Sequence, residues 1–202
     1  MTLLYRQTAA GLRMIVLFTV VLGVVYPLAI WAVAHLPGLA DRAEGSVLRV
    51  NGSAVGSSLI GVDPVAANPG ADPYFHSRPS ALAKDVLGPG DPSTSGASNK
   101  GAFNQDLVTA ISQRKDQIAA REGVAPNQVP PDAVTASGSG LDPDISPAYV
   151  ALQAARVARV TGLPVDRVRQ LVSQYTDGRV LAIFGEPGVN ITELNVAISQ
   201  AR

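Results

Sequence analysis

The chain has 202 residues, and its 16 basic and 16 acidic side chains give a formal net charge of zero. This balance provides neither the positive field of a general nucleic-acid-binding protein nor a polybasic patch for anionic lipids. The absence of cysteine from the sequence excludes disulfides, thiolate metal sites and thiol nucleophiles. Beyond an apolar N-terminal segment, about 165 residues remain, enough for one well-buried domain.

The first predicted element is a transmembrane helix at residues 14–34. Its 21 residues carry no charge, and 12 of them are Val, Leu, Ile or Phe. At about 1.5 Å per residue, the helix spans roughly 32 Å and matches a hydrocarbon core of about 30 Å. A cleaved signal peptide is the alternative, because Ala32-Val33-Ala34 resembles a cleavage site, but such apolar regions run to only about 7–15 residues.

The flanking charges predict the orientation of this helix. Arg6 and Arg13 precede it, whereas Arg42 follows it together with two acidic residues. Because Lys and Arg favour the cytoplasmic side, residues 1–13 are predicted in the cytoplasm and residues 35–202 outside it.

Three residues within the predicted helix suggest contact with another helix. Pro27 lacks an N–H and crowds the carbonyl of Gly23, which predicts a kink. Thr19 and Gly23 form a small-xxx-small pair that lets a second helix approach closely. Gly and Pro are also generally common in membrane helices, so the pattern alone leaves partner contact open.

The following region predicts a hairpin and then a long loop. Asn51-Gly52 lies between the apolar runs 47–50 and 54–60, which is typical of a β-hairpin with a type I′ turn. Residues 61–101 are rich in Pro and Gly and show little periodicity. Because adjacent aromatic side chains favour burial, Tyr74 and Phe75 argue for order in the middle of this loop.

The second half is predicted to be mainly helical. Phe103 opens the apolar face of the first helix, and Ser146-Pro147 provides an N-cap followed by proline at the first helical position of the second. Helices are predicted at 103–122, from 147 to about 161, from 164 to about 175 and after Asn190, with a strand at 180–184. The few scattered strands predict one α+β domain rather than repeated βαβ units.

Enzymatic and metal chemistry receives little support. His76 could act with Ser137 or Ser139 in a hydrolase, but no G-x-S-x-G elbow occurs. Asp142 and Asp144 are not followed by the spacing of a calcium loop. The glycine-rich residues 137–143 lack the Lys of a phosphate-binding loop, so we expect their Ser and Asp side chains to cap backbone groups instead.

Residues 154–172 allow a different function. The segment reads as a helix, a glycine turn and a second helix, which is the outline of a helix-turn-helix. Four arginines could meet DNA phosphates there, namely Arg156, Arg159, Arg167 and Arg169. The predicted external location and the lack of basic charge oppose a membrane-anchored DNA-binding regulator.

Several separated motifs together resemble one family. They are GSSLIG at 56–61, YFHSRPSA at 74–81, SGASN at 95–99, DAVTASGSGLDP at 132–143, ISP at 145–147, Gln153 with Arg156-Val157-Ala158, and VN through ELN at 189–195. This set, in this order, is similar to the KdpC family, the single-span C subunit of the Kdp potassium-transporting P-type ATPase. The chain departs from the family pattern at Asp144, where His is usual, at Gly188, where Arg is usual, and at residues 62–63.

The resemblance implies a non-catalytic subunit of a pump in the bacterial inner membrane. Its implied partners are KdpA, a channel-like subunit that selects K⁺, KdpB, which hydrolyses ATP, and KdpF, a small peptide. It also implies that the chain raises the ATP affinity of KdpB, with Gln153 involved. With the N-terminus in the cytoplasm, Gln153 would lie outside, so such an effect would require long-range coupling.

We therefore expect the exported domain to cap the outer K⁺ entrance and the helix at 14–34 to pack on partner helices. No metal or catalytic residue is expected in the chain itself. The candidate interface residues are Thr19, Gly23, Pro27, Arg78, Ser137, Gly138, Ser139, Gly140 and Asp142.

Overall fold

The structure is a computed structural model that describes residues 2–202. The chain divides into two compact units, of which the first ends at Ser46 and the second is Val47–Arg202. In the first unit, α1 (Thr2–Val20), a π-helical turn (Val21–Val25) and α2 (Tyr26–Ala34) follow one another without interruption. A short helix, α3 (Ala40–Ala43), comes after them.

The continuous N-terminal helix has 33 residues, and it is the one helix in the described part of the chain that is long and apolar enough to cross a membrane. It begins at Thr2, so the helix extends well before the apolar segment at 14–34. The irregularity expected from Pro27 takes the form of the π turn at Val21–Val25, where the Tyr26 N–H donates to the Val21 carbonyl. Proline offers no N–H, so the regular hydrogen-bond ladder cannot pass through this point.

The second unit begins with the predicted hairpin. Strands β1 (Val47–Val50) and β2 (Ser53–Ser57) pair antiparallel. Asn51 and Gly52 both have positive φ, 50° and 81°, as a type I′ turn requires. The hairpin is confirmed, and its second strand ends at Ser57 rather than at residue 60.

A long segment with little regular structure follows, as predicted. Its one helical turn is a 3₁₀ turn at Pro69–Ala71. Phe75, in its middle, is completely buried and belongs to the hydrophobic core. The buried aromatic ring holds this part of the loop against the helices that follow.

Five helices and three short strands form the rest of the domain. The helices are α4 (Gln105–Glu122), α5 (Pro131–Val134), α6 (Pro147–Thr161), α7 (Val165–Gln174) and α8 (Ile191–Gln200), and the strands are β3 (Asp144–Ile145), β4 (Thr176–Asp177) and β5 (Gly188–Asn190). The strands form one antiparallel sheet in the order β3-β5-β4. The α+β prediction is confirmed.

Local signals set the ends of the main helices. The side chain of Ser146 accepts from the Tyr149 N–H at the start of α6, and Asn190 accepts from the Glu193 N–H at the start of α8. Gly123 and Gly162 end α4 and α6 in the left-handed region, with φ of 69° and 76°. These caps agree with the sequence signals.

Helix α6 lies at the centre of the core. Its buried side chains pack with those of the helices around it and with Phe75. The fully buried large side chains are Phe75, Ile118, Tyr149, Val150, Gln153, Val157, Val168, Val189, Ile191, Leu194 and Ile198.

Two sequence predictions are wrong. Phe103 precedes α4 instead of opening its apolar face, and its side chain is 95% exposed. Residues 180–184 form a tight turn closed by a bridge between Val180 and Phe184, not a strand. The apolar residues predicted a helix face at Phe103 and a strand at 180–184, but no other part of the domain covers these side chains.

Candidate functional site: two polar networks

The first network clamps the chain at Phe75 and His76. The Gln153 side chain accepts from the His76 N–H at 2.8 Å and donates to the His76 carbonyl at 3.2 Å. Asn195 makes the same pair of bonds with Phe75, both at 2.8 Å. Two side-chain amides thus take the place of a neighbouring β-strand and satisfy backbone groups that would otherwise be buried without partners.

Arg156 connects this clamp to the end of α4. Its guanidinium contacts the Glu122 carboxylate at 3.0 Å and donates to the backbone carbonyls of Asp72 and Tyr74 at 2.7 and 3.0 Å. It also donates to the Gln153 side-chain oxygen at 3.2 Å. The side chains of Arg156 and Glu122 are 5% and 0% exposed, so this is a buried charge pair whose desolvation is offset by several hydrogen bonds.

His76 lies between two carboxylates. Its Nδ1 is 2.8 Å from Asp63 and its Nε2 is 2.5 Å from Asp72. Burial alone lowers the pKa of His76, but the hydrogen bonds to Asp63 and Asp72 outweigh burial, so its pKa lies above the ordinary value. Burial raises the pKa of Asp72, yet its bond to His76 leaves that pKa below the usual range. The geometry therefore favours the protonated imidazole, which can donate to both carboxylates.

The second network is the loop at residues 137–143. Ser137 is 1% exposed, and its hydroxyl accepts from the N–H groups of Ser139 and Gly140 at 3.2 and 2.8 Å. The Ser139 hydroxyl accepts from the Leu141 N–H and donates to Asp142, both at 3.1 Å. The expected capping of backbone groups by Ser side chains is confirmed, and these N–H groups are not available to cradle a phosphate.

The same loop gathers segments that are distant in sequence. Arg78 bonds the Asp142 carboxylate at 2.8 Å. The Gly96 N–H donates to the Ser139 carbonyl, and the Gly61 N–H donates to the Leu141 carbonyl, each at 2.8 Å. Four of the motifs that suggested the family therefore meet at this loop.

Gly61 shows how closely these segments pack. A Cβ atom at this position would lie 2.2 Å from the Asp142 carbonyl oxygen, far inside van der Waals contact. Gly138, in contrast, has nothing within 4 Å of an added Cβ and is exposed. Within the loop, Gly138 is thus open to a partner, whereas Ser137 is enclosed.

The arrangement offers no support for the alternative activities. The bonds of His76 go to Asp63, Asp72 and Gln153, and those of Ser137 and Ser139 stay within their own loop or reach its neighbours. Among residues 2–202, no group of three or more His, Cys, Asp or Glu side chains could hold a metal ion. Every buried side-chain N or O atom of these residues has a hydrogen-bond partner.

The helix-turn-helix outline is present as the pair α6 and α7, but its arginines do not form one exposed surface. Arg156 is buried against Glu122. Arg167 bonds Gln170, and Arg169 pairs with Asp166. Arg159 is exposed, but Arg156 is not free to meet a phosphate, because its charge is paired inside the core.

The candidate interface residues of the first unit lie along the long helix. Thr19 and Gly23 are exposed and line a shallow groove with Met14, Ile15, Phe18 and Leu22. Pro27 follows the π turn. A Cβ added at Gly23 would meet only the Thr19 methyl group, at 4.0 Å, so nothing in the chain itself requires glycine there.

Two departures from the family pattern are neighbours in space. A Cβ at Gly188 would lie 3.3 Å from the Asp144 Cβ across the β3–β5 pair. Burial and the nearby carboxylates of Asp177 and Asp142 raise the pKa of Asp144.

Sequence reasoning found some members of these networks and missed others. The motifs point to Gln153, Arg78, Ser137 and Asp142, but no sequence signal indicates a role for the carboxylates of Asp63, Asp72 and Glu122. Each of these carboxylates lies at a loop or helix end, where an acidic residue is ordinarily solvated. Only the fold brings these three carboxylates to His76 and Arg156.

The fold and the two networks together define a class of protein. A long exposed apolar helix at the N-terminus, followed by a compact α+β domain, fits a single-span membrane protein. Within that class, the chain belongs to the KdpC family, described as K⁺-transporting ATPase, c chain, whose model matches residues 8–200. The resemblance noted in the motifs is confirmed.

Similar proteins cover nearly the whole chain. The potassium-transporting ATPase KdpC subunit of Kineococcus radiotolerans is 47% identical over 201 residues, which are 100% of this chain and 97% of the relative. The proteins of the same name from Streptomyces avermitilis and Streptomyces coelicolor are 43% and 41% identical, over 96% of this chain and 94% and 92% of theirs. These comparisons do not favour a DNA-binding regulator.

Proposed function

We propose that this chain is a non-catalytic accessory subunit that supports assembly and K⁺ uptake by a bacterial ATP-driven potassium pump. Its partners would be the channel-like KdpA, the ATPase KdpB and the small peptide KdpF. The observation that carries the proposal is that the family motifs meet in networks whose polar groups are already bonded to one another. Such networks stabilise a scaffold and leave no reactive constellation.

The proposed location of the domain is outside the cytoplasm of the inner membrane. Arg6 and Arg13 precede the apolar segment of the helix, which favours a cytoplasmic N-terminus. In this orientation the domain would lie at the outer K⁺ entrance, and the groove beside Thr19 and Gly23 would receive a partner helix.

This orientation also bears on how Gln153 could influence ATP binding by the pump. Gln153 is 0% exposed, and its amide bonds both backbone groups of His76. These contacts support a structural role for Gln153 and an indirect effect, through the assembled complex, on nucleotide binding by KdpB.

A topology measurement tests the location. Ser199 is exposed near the C-terminus, and the chain has no cysteine, so Ser199→Cys provides a single reporter thiol. We expect a membrane-impermeant thiol reagent to label it in intact spheroplasts, with lysed cells as the accessibility control. Labelling that requires lysis would place the domain in the cytoplasm and overturn the proposal.

A truncation tests the function. Removal of residues 38–202 leaves the membrane helix in place and should abolish stable assembly or lower the apparent K⁺ affinity of uptake at least ten-fold. The control is the full chain expressed at the same level. Intact assembly together with unchanged K⁺ affinity would refute a role for the domain in uptake.

A further inference from the structure

The loop between β4 and β5, residues 179–186, presents an unusual apolar surface. Its large side chains are mostly in solvent: Val180 is 68% exposed, Leu181 79%, Ile183 71% and Phe184 63%. Scattered apolar side chains are normal on protein surfaces, but four within five consecutive residues form a contiguous patch. Such a patch on a water-facing domain is typical of a binding surface.

The loop holds this patch in a defined shape. Val180 and Phe184 exchange two backbone hydrogen bonds at 2.9 Å, and Arg179 pairs with Glu186 at 2.7 Å across the base. Leu181 and Ala182 adopt positive φ of 53° and 62°, which is uncommon for residues with side chains. A patch that is already ordered loses little conformational freedom when it binds.

The surroundings of the loop are acidic. Asp177 pairs with Gly188 and Asp144 pairs with Asn190, so both carboxylates lie in the sheet from which the loop emerges. Glu193 follows in the first turn of α8, and the charges that act on its carboxylate are those of Asp177 and Asp144. An apolar tip therefore rises from a negatively charged base.

This charge distribution favours one kind of binding partner for the loop over the others. An anionic bilayer would be repelled by the acidic base. A second copy of the chain that used the same surface would place like charges opposite each other. A protein surface with an apolar recess and a rim of Lys or Arg would bury the apolar tip and pair with the carboxylates at its base.

We propose that residues 179–186 form a docking loop that inserts into an apolar recess, rimmed by Lys or Arg, on another chain of the potassium pump. This inference rests on the proposed function, because it presumes an assembled pump. Ile183 and Phe184 are the apolar anchors of the contact, and Asp144, Asp177 and Glu193 meet the basic rim.

Matched variants of the full chain test the apolar anchors. Ile183→Asp and Phe184→Asp are compared with Phe103→Asp, which changes an aromatic side chain that is 95% exposed elsewhere. The full chain is co-expressed with the other pump chains and purified in mild detergent. We expect Ile183→Asp and Phe184→Asp to lower the yield of partner chains at least ten-fold, with Phe103→Asp within two-fold of wild type and all thermal unfolding curves alike.

The outcomes separate two kinds of failure. A wild-type chain that recovers no other pump chain would contradict the proposed function itself. If the wild-type chain recovers them and Ile183→Asp and Phe184→Asp recover them equally well, only the docking loop is overturned.

For the basic rim, Asp177→Lys should lower recovery of the partner chains at least three-fold, whereas Asp116→Lys on the exposed side of α4 should not. Equal recovery with the two variants would refute the charged rim.

A thiol reporter on the loop distinguishes contact with the pump chains from contact with lipid or with a second copy of this chain. Bimane attached to Ile183→Cys should be accessible to iodide when the chain alone is reconstituted in phosphatidylcholine–phosphatidylglycerol vesicles, and protected when the other pump chains are present. Protection by the vesicles alone would indicate a lipid contact and overturn the proposal. With Ile183→Cys left unlabelled, a disulfide-linked homodimer that forms under mild oxidation in the presence of the other pump chains would assign the loop to a second copy and also overturn the proposal.

Discussion

The side-chain amide of Gln153 makes both hydrogen bonds that an adjacent strand would make with His76. Its oxygen is also bonded to Arg156, so one buried side chain joins a loop, a helix and a charge pair. Asn195 repeats the arrangement at Phe75. A residue with this many bonds is sensitive to replacement even when it contacts no ligand.

Gln153→Ala should destabilise the domain. It leaves the His76 N–H and carbonyl buried without partners, each at a cost of about 1–3 kcal/mol, so we expect the free energy of unfolding to fall by roughly 2–6 kcal/mol. Chemical denaturation of the full chain in detergent measures this change, with the exposed Gln113→Ala as the control. If Gln153→Ala lowered the ATP affinity of the assembled pump while the unfolding curve stayed unchanged, the structural role would be refuted.

The His76 cluster predicts a pH dependence of stability. A pKa raised by folding contributes stability that is fully present below the unfolded value, about 6.5, and is lost as the pH rises through the folded pKa. The lowered pKa of Asp72 affects stability in the acidic range. Its contribution is present above the unfolded pKa, about 3.9, and is lost as the pH falls through the folded pKa.

We therefore expect the melting temperature to decline as the pH rises above about 6.5, and this decline to flatten in His76→Gln. Thermal unfolding across this range measures both slopes, and His35→Gln, in the other unit, is the matched control. Equal slopes in wild type and His76→Gln would contradict a protonated His76 in the folded domain.

At the scale of elements, two glycines of neighbouring segments should differ sharply in how much their replacement by alanine destabilises the domain. A methyl group at Gly61 would lie 2.2 Å from the Asp142 carbonyl oxygen, whereas at Gly138 it would meet nothing within 4 Å. We expect Gly61→Ala to lower the free energy of unfolding by roughly 2–4 kcal/mol, because backbone must move. Gly138→Ala should change it by less than about 0.5 kcal/mol. Similar unfolding midpoints for the two variants would show that the loop at 137–143 is not packed as described.

A substitution at Gly23 tests whether the N-terminal helix packs against a partner helix. Nothing in the chain itself hinders a larger side chain at Gly23, so Gly23→Leu should leave the helix intact and block close approach by a partner helix. We expect at least a three-fold loss of partner chains during purification in detergent. Gly11→Leu is the matched control, because Gly11 also has open space around it but lies before the apolar segment. Unchanged recovery with Gly23→Leu would remove the Thr19–Gly23 groove from the interface.

Across the whole domain, the family motifs act as one structural unit. The segments at 56–61, 74–81 and 95–99 each contact the loop at 137–143, and the segment at 74–81 is also held by α6 and α8. Motifs spread over much of the chain thus stabilise one fold. This organisation suits a subunit whose proposed contribution is to present surfaces to its partners.

Much of the fold was predictable where local signals decide the outcome. The hairpin at Asn51-Gly52, the cap at Ser146, the helix end at Gly162 and the amphipathic helix after Asn190 all depend on neighbouring residues. The predictions failed at Phe103 and at residues 180–184, where apolar side chains indicated a helix face and a strand. Whether a side chain is buried depends on what the rest of the chain places over it, and here nothing in the described domain covers these residues.

The sequence by itself determined the class of the protein: one uncharged segment long enough to span a bilayer, an α+β domain and a motif order that resembles one family. Only the tertiary structure decided which charges are internal. Asp63, Asp72 and Glu122 join His76 and Arg156 in a buried cluster, although these residues are separated by up to about 90 positions in the chain. Such pairings depend on long-range packing, which carries no local signal, and for the same reason only the structure distinguished the enclosed Ser137 from the exposed tip at 180–184.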